Sequence, residues 1–146
     1  MNCSRHIAAA RIGSTWSALL MLTLLSGCTS DVQPIRYGAD TCTECRMVVD
    51  QPRFATTILT PKGRTLNFDS IECLVQFFRA TQSNYESMGH SRLLVSVDDT
   101  GKMIDVENAF FVRDESVRTP MGGGLIAFET IRPDAIRWHE VVTSHP

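Results

Sequence analysis

Residues 54–80 read FATTILTPKGRTLNFDSIECLVQFFRA, and a change of pattern divides them into two parts. The first part begins with Phe54–Leu59, which is rich in threonine and apolar residues. Turn residues follow at Pro61-Lys62-Gly63, and Arg64–Phe68 then alternates between polar and apolar residues. Two such runs joined by a glycine-containing turn predict a β-hairpin.

The second part predicts a helix from Ile71 to Ala80. Asp69 and Ser70 precede it and offer side-chain oxygens to its first free N–H groups. Cys73 lies about 160° from the centre of the apolar stripe, so we expect it outside the main core. Cys73 is then either a third metal ligand or a thiol that transfers the metal, and the helix dipole would favour its thiolate form. The alternative is an ordinary half-buried cysteine. The stripe at helical spacing, which should face the core, consists of Ile71, Leu74, Val75 and Phe78.

The remainder of the chain continues in short strands and turns. Pro133 suits the first position of a helix and predicts a final helix that carries Ile136 and Trp138. The whole pattern predicts an α+β fold in one small domain. The expected strands are Leu93–Val97, Lys102–Asp105, Ala109–Val112 and Leu125–Phe128, with a turn at Asp98–Gly101 and a flexible loop at Thr119–Gly124.

The N-terminus predicts a bacterial lipoprotein signal peptide. Arg5 and Arg11 supply positive charge ahead of the apolar stretch Trp16–Leu25, which is too short to span a bilayer because spanning takes roughly 20 residues. Leu-Ser-Gly-Cys, ending at Cys28, resembles a lipobox. This resemblance implies cleavage before Cys28 and lipidation of that residue. The resulting anchor is stable because it carries more than one acyl chain. The alternative is an ordinary secretory peptide with a chance cysteine.

These features divide the chain into a signal peptide (1–27), a lipid-anchored linker (28–39) and a folded domain (40–146). Processing removes two arginines and no acid, which leaves 12 Lys+Arg against 16 Asp+Glu and a formal charge of −4. A mildly acidic domain without a basic patch argues against nucleic-acid binding. We expect the domain in the cell envelope, facing the periplasm, and at the outer membrane if the bacterium has two membranes.

Two thiols and a thioether lie together in the segment Cys42-Thr43-Glu44-Cys45-Arg46-Met47. Thiolate and thioether are soft ligands that select Cu(I), whereas thiolate alone also suits Zn(II) and iron–sulfur clusters. Met47 therefore shifts the prediction toward copper, unless Met47 is simply a core residue at the start of a strand. Once Cys28 is lipidated three thiols remain, and an odd number is awkward for a disulfide framework.

Other uses of the pair Cys42 and Cys45 stay open. A thioredoxin-like pair needs its first cysteine at a helix N-terminus after a buried strand, and the flanking residues do not predict that setting. A zinc ribbon needs a second cysteine pair, and only Cys73 and His90 are left to complete a four-ligand site. A structural disulfide between Cys42 and Cys45 is a further alternative in an oxidising envelope.

The segment 119–124, TPMGGG, places Met121 on a glycine-rich loop. Three consecutive glycines allow close backbone approach and positive φ angles. The segment lacks the Lys-Ser/Thr that a phosphate-binding P-loop requires. We interpret it as a flap that brings Met121 to the soft-metal site, and the alternative is a surface loop whose methionine packs back on the core.

Five motifs run along the chain in order: Cys42-x-x-Cys45-x-Met47, Asp50 with Arg53-Phe54-Ala55, Gly63, Asn67–Cys73, and Pro120-Met121-Gly122 before Ala127-Phe128. Together they resemble the NosL family over most of the chain from Asp40 to about Phe128. Arg46 departs from the glycine of many members, and Ser70-Ile71-Glu72 departs from their Asp-Ile-Gly.

The resemblance implies a fold of two small β-β-α-β modules and a Cu(I) site centred on Cys45 and Met47. Met121 is the next candidate ligand, followed by Cys42 and Cys73.

The resemblance implies a copper chaperone and not an enzyme. Members are envelope lipoproteins that hand Cu(I) to nitrous oxide reductase and work with a membrane ABC-type complex. A site of one or two thiolates with thioethers also releases metal more readily than a closed four-thiolate cage, which suits structural zinc. The alternatives are an envelope thiol-disulfide redox enzyme that uses Cys42 and Cys45, and a structural zinc lipoprotein.

Overall fold

The computed structural model describes residues 33–81 and 91–144. The predicted signal peptide, Cys28 and His90 lie outside the described residues, so the proposed division at 27 and 39 stays a prediction. The elements in chain order are β1 (Thr56–Leu59), β2 (Thr65–Phe68), α1 (Ile71–Ala80), β3 (Arg92–Ser96), β4 (Met103–Asp105), a short 3₁₀ turn (Val106–Asn108), β5 (Phe110–Arg113), β6 (Leu125–Phe128) and α2 (Trp138–Ser144).

The strands form two antiparallel sheets, one of four strands in the order β2-β1-β3-β4 and one of β5 and β6. The predicted hairpin pairs Thr56 with Phe68 and Leu59 with Thr65. All four residues of β1 are buried, and buried polar groups need hydrogen-bond partners. Thr57 Oγ1 meets this need by donating to Asn67 Oδ1 at 2.7 Å.

The core combines residues of both sheets and both helices. The predicted stripe of α1 is buried at Ile71, Leu74 and Val75, and burial of each such side chain contributes roughly 1.5–3 kcal/mol. Trp138 of α2 completes the core, with ring centroids 6.0 Å from Phe78 and 5.8 Å from Phe111. Through Trp138, α2 contacts both α1 and β5.

The sequence predicts that the final helix begins at Pro133. In the structure this helix begins at Trp138. Asp134 has φ of +58°, which a right-handed helix excludes. Ile136 lies in extended backbone instead, because it exchanges hydrogen bonds with Phe111 at 2.8 and 3.0 Å. The segment before α2 therefore adds a bridge to β5 rather than a first helical turn.

Cys73 is fully buried, which corrects the expectation that it lies outside the core. The helical wheel places it correctly, away from the stripe that faces the sheet. A second layer covers that side of α1, however, and it includes Cys42, which is also fully buried. The periodicity of one helix cannot reveal such a distant covering segment.

The α+β class predicted from the sequence is confirmed. The elements β1, β2, α1 and β3 form one β-β-α-β module, whereas β5, β6 and α2 supply a second β-β-α unit, and no strand follows α2 within residues 33–81 and 91–144. Neither α1 nor α2 combines the length and apolar character needed to cross a membrane.

Candidate metal centre

Residues 40–49, called the knuckle here, fold back on themselves. Cys42 N donates to Met47 O at 2.7 Å and closes the turn that contains both cysteines of the motif. Thr43 N donates to Asn67 O at 2.8 Å and fastens the knuckle to β2. These backbone bonds hold the two thiols of the knuckle beside the start of α1.

Arg46, between the second cysteine and the methionine, lies in the left-handed region with φ of +68°. Its N–H donates to Cys42 O at 3.2 Å, so the tight turn requires this conformation. A residue with a Cβ pays roughly 1–2 kcal/mol there, whereas glycine adopts it freely. The positive φ therefore explains why glycine suits this position, where the resemblance leads one to expect it and this chain has Arg46.

Four donor atoms meet where the knuckle contacts α1. The Sγ atoms of Cys42, Cys45 and Cys73 and a carboxylate oxygen of Asp69 all lie within 4.8 Å of one another. All three thiols are free. Cys45 Sγ donates to Asp69 Oδ2 at 3.5 Å. Because Cys45 is half-buried and the other three residues are buried, it forms the accessible edge of this cluster.

Asp69 joins the cluster because Ser70, not Asp69, caps α1. Ser70 Oγ accepts from Cys73 N at 3.3 Å, with the backbone of Ser70 extended. Asp69 Oδ1 is buried and has no hydrogen-bond partner among the residues that the structure describes. An unsatisfied buried acceptor costs about 1–3 kcal/mol, which a bound cation would relieve. From the sequence, Asp69 is expected only to cap the helix, although its position four residues before Cys73 is the signal that could have identified it as a possible ligand.

Of the three thiols in the cluster, Cys42 is the one whose surroundings favour loss of the proton. A hydrogen bond from the Cys73 thiol, aided by backbone N–H groups, lowers the pKa of Cys42 to about 6 despite its burial. The same hydrogen bond, together with burial and the nearby Asp69, raises the pKa of Cys73. Burial also raises the pKa of Cys45. These shifts favour a thiolate on Cys42 and protonated thiols on Cys45 and Cys73 at neutral pH.

The two methionines of the predicted site are surface residues. Met47 is 53% exposed and Met121 is 39% exposed. The packing alternatives considered for them from the sequence therefore do not describe this structure. The structure brings the three thiols together in one cluster and leaves both thioethers accessible to a metal or to a partner protein.

The flap, residues 119–124, is tied to the body of the domain at its base, through Thr119 and through Leu125, the residue that directly follows it. Thr119 Oγ1 donates to Glu72 Oε1 at 2.9 Å, and Leu125 N donates to the same oxygen at 3.2 Å. The sequence predicts a flexible loop here. The structure restricts freedom at the base of the flap and leaves Met121 exposed near its tip.

Comparisons with known proteins bear on the family and the fold of the chain. The model of the NosL family matches residues 36–140. The fold is similar to the crystal structure of the copper chaperone NosL from Shewanella denitrificans, with a TM-score of 0.63 and 17% sequence identity over 80% of this chain and 99% of that one. No curated protein sequence matches the chain significantly. On the match to the family model, the chain belongs to the NosL family.

Proposed function

We propose that this protein is a copper carrier that binds Cu(I) and passes it to a copper enzyme of the periplasm. The observation that carries the proposal is the meeting of three free thiols within 4.8 Å of one another where the knuckle contacts α1. Membership of the NosL family supports it, as does a fold shared with a protein described as a copper chaperone. The role is binding and release of a metal, and it needs no catalytic residue.

The donor set favours Cu(I) because sulfur ligands are soft. Cys42 offers a thiolate at neutral pH, and Cys45 offers a thiol that loses its proton when metal binds. Met47, two residues after Cys45, adds an exposed thioether. We rank Cys45 and Met47 first, as the resemblance to the family implies, then Met121, and then Cys42 and Cys73.

Release of the metal also fits the arrangement. An acceptor protein must bring its own ligand to the bound ion before the carrier lets go. Cys45 is half-buried, and Met47, two residues later, is exposed, so an incoming ligand can reach this side of the site. A fully enclosed cage would block such an exchange, which is the reason that closed sites serve structural metals.

We further propose that the acceptor is nitrous oxide reductase, that a membrane ABC-type complex takes part, and that a lipid on Cys28 anchors the chain on the periplasmic side. Within the described residues, Ile35 packs against the core and Arg36 N–H donates to Asp40 Oδ2. A tether of seven residues, from 28 to 34, could span at most roughly 25 Å, at about 3.5 Å for each residue. The site would then act close to the membrane, at the outer membrane if the cell has two.

A structural zinc site is the second candidate, and Asp69 is the observation that favours it. Three thiolates and one carboxylate make a four-donor set that Zn(II) accepts in tetrahedral geometry. The set differs from the zinc ribbon considered from the sequence, because Asp69 replaces a fourth cysteine or histidine.

Metal analysis of the protein purified under reducing conditions separates these functions. The carrier predicts one Cu(I) per chain that a Cu(I) chelator can remove. Zn(II) that persists against a chelator would support the structural site. A chain without metal, in which added oxidised glutathione converts Cys42 and Cys45 to a disulfide that added thiols reduce again, would support the redox alternative and contradict the proposal.

A further inference from the structure

Glu72 is a buried carboxylate in the first turn of α1, with 1% of its surface exposed. Burying a carboxylate is unfavourable unless it is well partnered. Its Oε1 accepts from Thr119 Oγ1 and from Leu125 N. Its Oε2 has no hydrogen-bond partner within the described part of the chain. The two hydrogen bonds to this buried acid therefore come from the first residue of the flap and from the residue that directly follows the flap.

The flap backbone packs directly on this carboxylate. A Cβ at Gly123 would lie 2.6 Å from Glu72 Oε1, so no larger residue fits there without movement. Thr119 Oγ1 donates to Glu72 and also accepts from Gly124 N at 3.2 Å, which closes the base of the flap. Arg113 donates to Gly123 O at 2.8 Å. The glycine-rich sequence of the flap is therefore matched to close contact with Glu72.

Glu72 directly precedes Cys73, so one turn of α1 carries both the anchor of the flap and a thiol of the cluster. Successive helical residues point about 100° apart. Cys73 accordingly lies against the knuckle while Glu72 lies against the flap. The flap in turn carries Met121. A rigid helical turn thus connects the loop that bears a thioether to the thiols of the metal centre.

We infer that Glu72 is a positioning residue that fixes the flap, and with it Met121, relative to the thiol cluster. The inference rests on the proposed Cu(I) carrier function. Acceptance of hydrogen bonds is the property that this role requires, and negative charge is not. Glu72→Gln keeps an acceptor oxygen and should preserve the anchor, whereas Glu72→Met has similar length and removes both oxygens.

Amide hydrogen exchange of the metal-free protein tests the anchor directly. In Glu72→Met the amides of Gly124 and Leu125 should exchange faster, while those of β1 keep their protection. Glu72→Gln should match the wild type, as should Glu115→Met, which alters an exposed acid of the neighbouring segment. Unchanged exchange at Gly124 and Leu125 in Glu72→Met would overturn the inference, and this outcome does not depend on any metal.

Competition with a Cu(I) chelator tests the consequence for the site. Residues that orient metal ligands typically change affinity about 10–100-fold, so Glu72→Met should weaken Cu(I) binding about tenfold and Glu72→Gln should not. In a Met121→Ala background, Glu72→Met should cause no further loss, because its effect acts through Met121. Losses that add in the double variant would overturn the positioning role.

Two further outcomes stay distinguishable. If the wild type binds no Cu(I), the proposed function fails, while the exchange experiment still decides whether Glu72 anchors the flap. If Glu72→Met does not fold, Thr119→Val removes one donor to the same oxygen. It should speed the exchange of the Leu125 amide, which donates to Glu72, and show the same non-additivity with Met121→Ala; the Gly124 amide loses its own acceptor in this variant and is not used. Unchanged exchange at Leu125 would overturn the inference.

Discussion

Apparent Cu(I) affinity should depend on pH with a slope that changes near pH 6. Metal binding to a thiol displaces its proton, so each displaced proton changes the affinity about tenfold per pH unit. Between pH 6 and 8, Cys42 is already ionised, because its pKa is lowered to about 6. Cys45 keeps its proton, because burial raises its pKa. Binding by these two sulfurs then releases one proton.

The affinity should therefore rise about tenfold per unit from pH 6 to 8 if Cys42 and Cys45 are the thiolate ligands. Below pH 6, Cys42 is protonated as well, two protons must leave, and the slope should approach a hundredfold per unit. If Cys73 also binds, one further proton leaves and each slope increases by another factor of ten. The sign is the same throughout, since acid weakens binding.

Competition with a Cu(I) chelator of known proton affinity, measured at intervals from about pH 5 to 8, gives these slopes directly. In Cys42→Ser the change of slope near pH 6 should disappear, which serves as the matched control. A flat profile in the wild type would refute the reasoning, because it would mean that no protonated thiol becomes a ligand. A change of slope that survives in Cys42→Ser would refute the assignment of the thiolate.

Four further predictions concern single residues. Cys45→Ser should abolish Cu(I) binding and preserve the circular dichroism of the fold, because a ligand is lost from a half-buried position; wild-type affinity would contradict this. Met121→Ala should weaken Cu(I) binding less than Cys45→Ser in the same titration, because a thioether is a neutral ligand. Asp69→Asn should lower Zn(II) retention and leave Cu(I) affinity nearly unchanged, because carboxylate is a hard ligand; equal losses for both metals would contradict it. Leu74→Ala should lower the free energy of unfolding in urea by about 2–5 kcal/mol, because the side chain is fully buried; a loss under about 1 kcal/mol would contradict the core assignment.

The local elements of the fold could be predicted from the sequence because their signals are local. The hairpin β1–β2 follows from alternation and a glycine turn, and α1 follows from its stripe and the cap at Ser70. Pro133 misled the prediction of α2, since proline is also compatible with the extended and turn conformations that precede Trp138. Only the pairing of Ile136 with Phe111, a contact distant in sequence, decides between these possibilities.

The thiols could be identified from residue type, whereas their surroundings could not. Cys42, Cys45 and Cys73 are conspicuous soft ligands, but only the knuckle folding over α1 brings Cys73 to the other two. Asp69 and Glu72 could be recognised only as acids near a helix start. Their burial, and the different partners that they contact, depend on the knuckle and the flap, which reach α1 from distant parts of the chain.

X-ray absorption at the copper edge of the loaded, reduced protein tests the central claim most directly. A carrier built on the thiol cluster predicts copper in the Cu(I) state with sulfur as its nearest scatterer, and a loss of bound copper in Cys45→Ser. Copper in the Cu(II) state, or a first shell of nitrogen and oxygen, would contradict the assignment of Cys45 and its neighbouring sulfurs as the copper site.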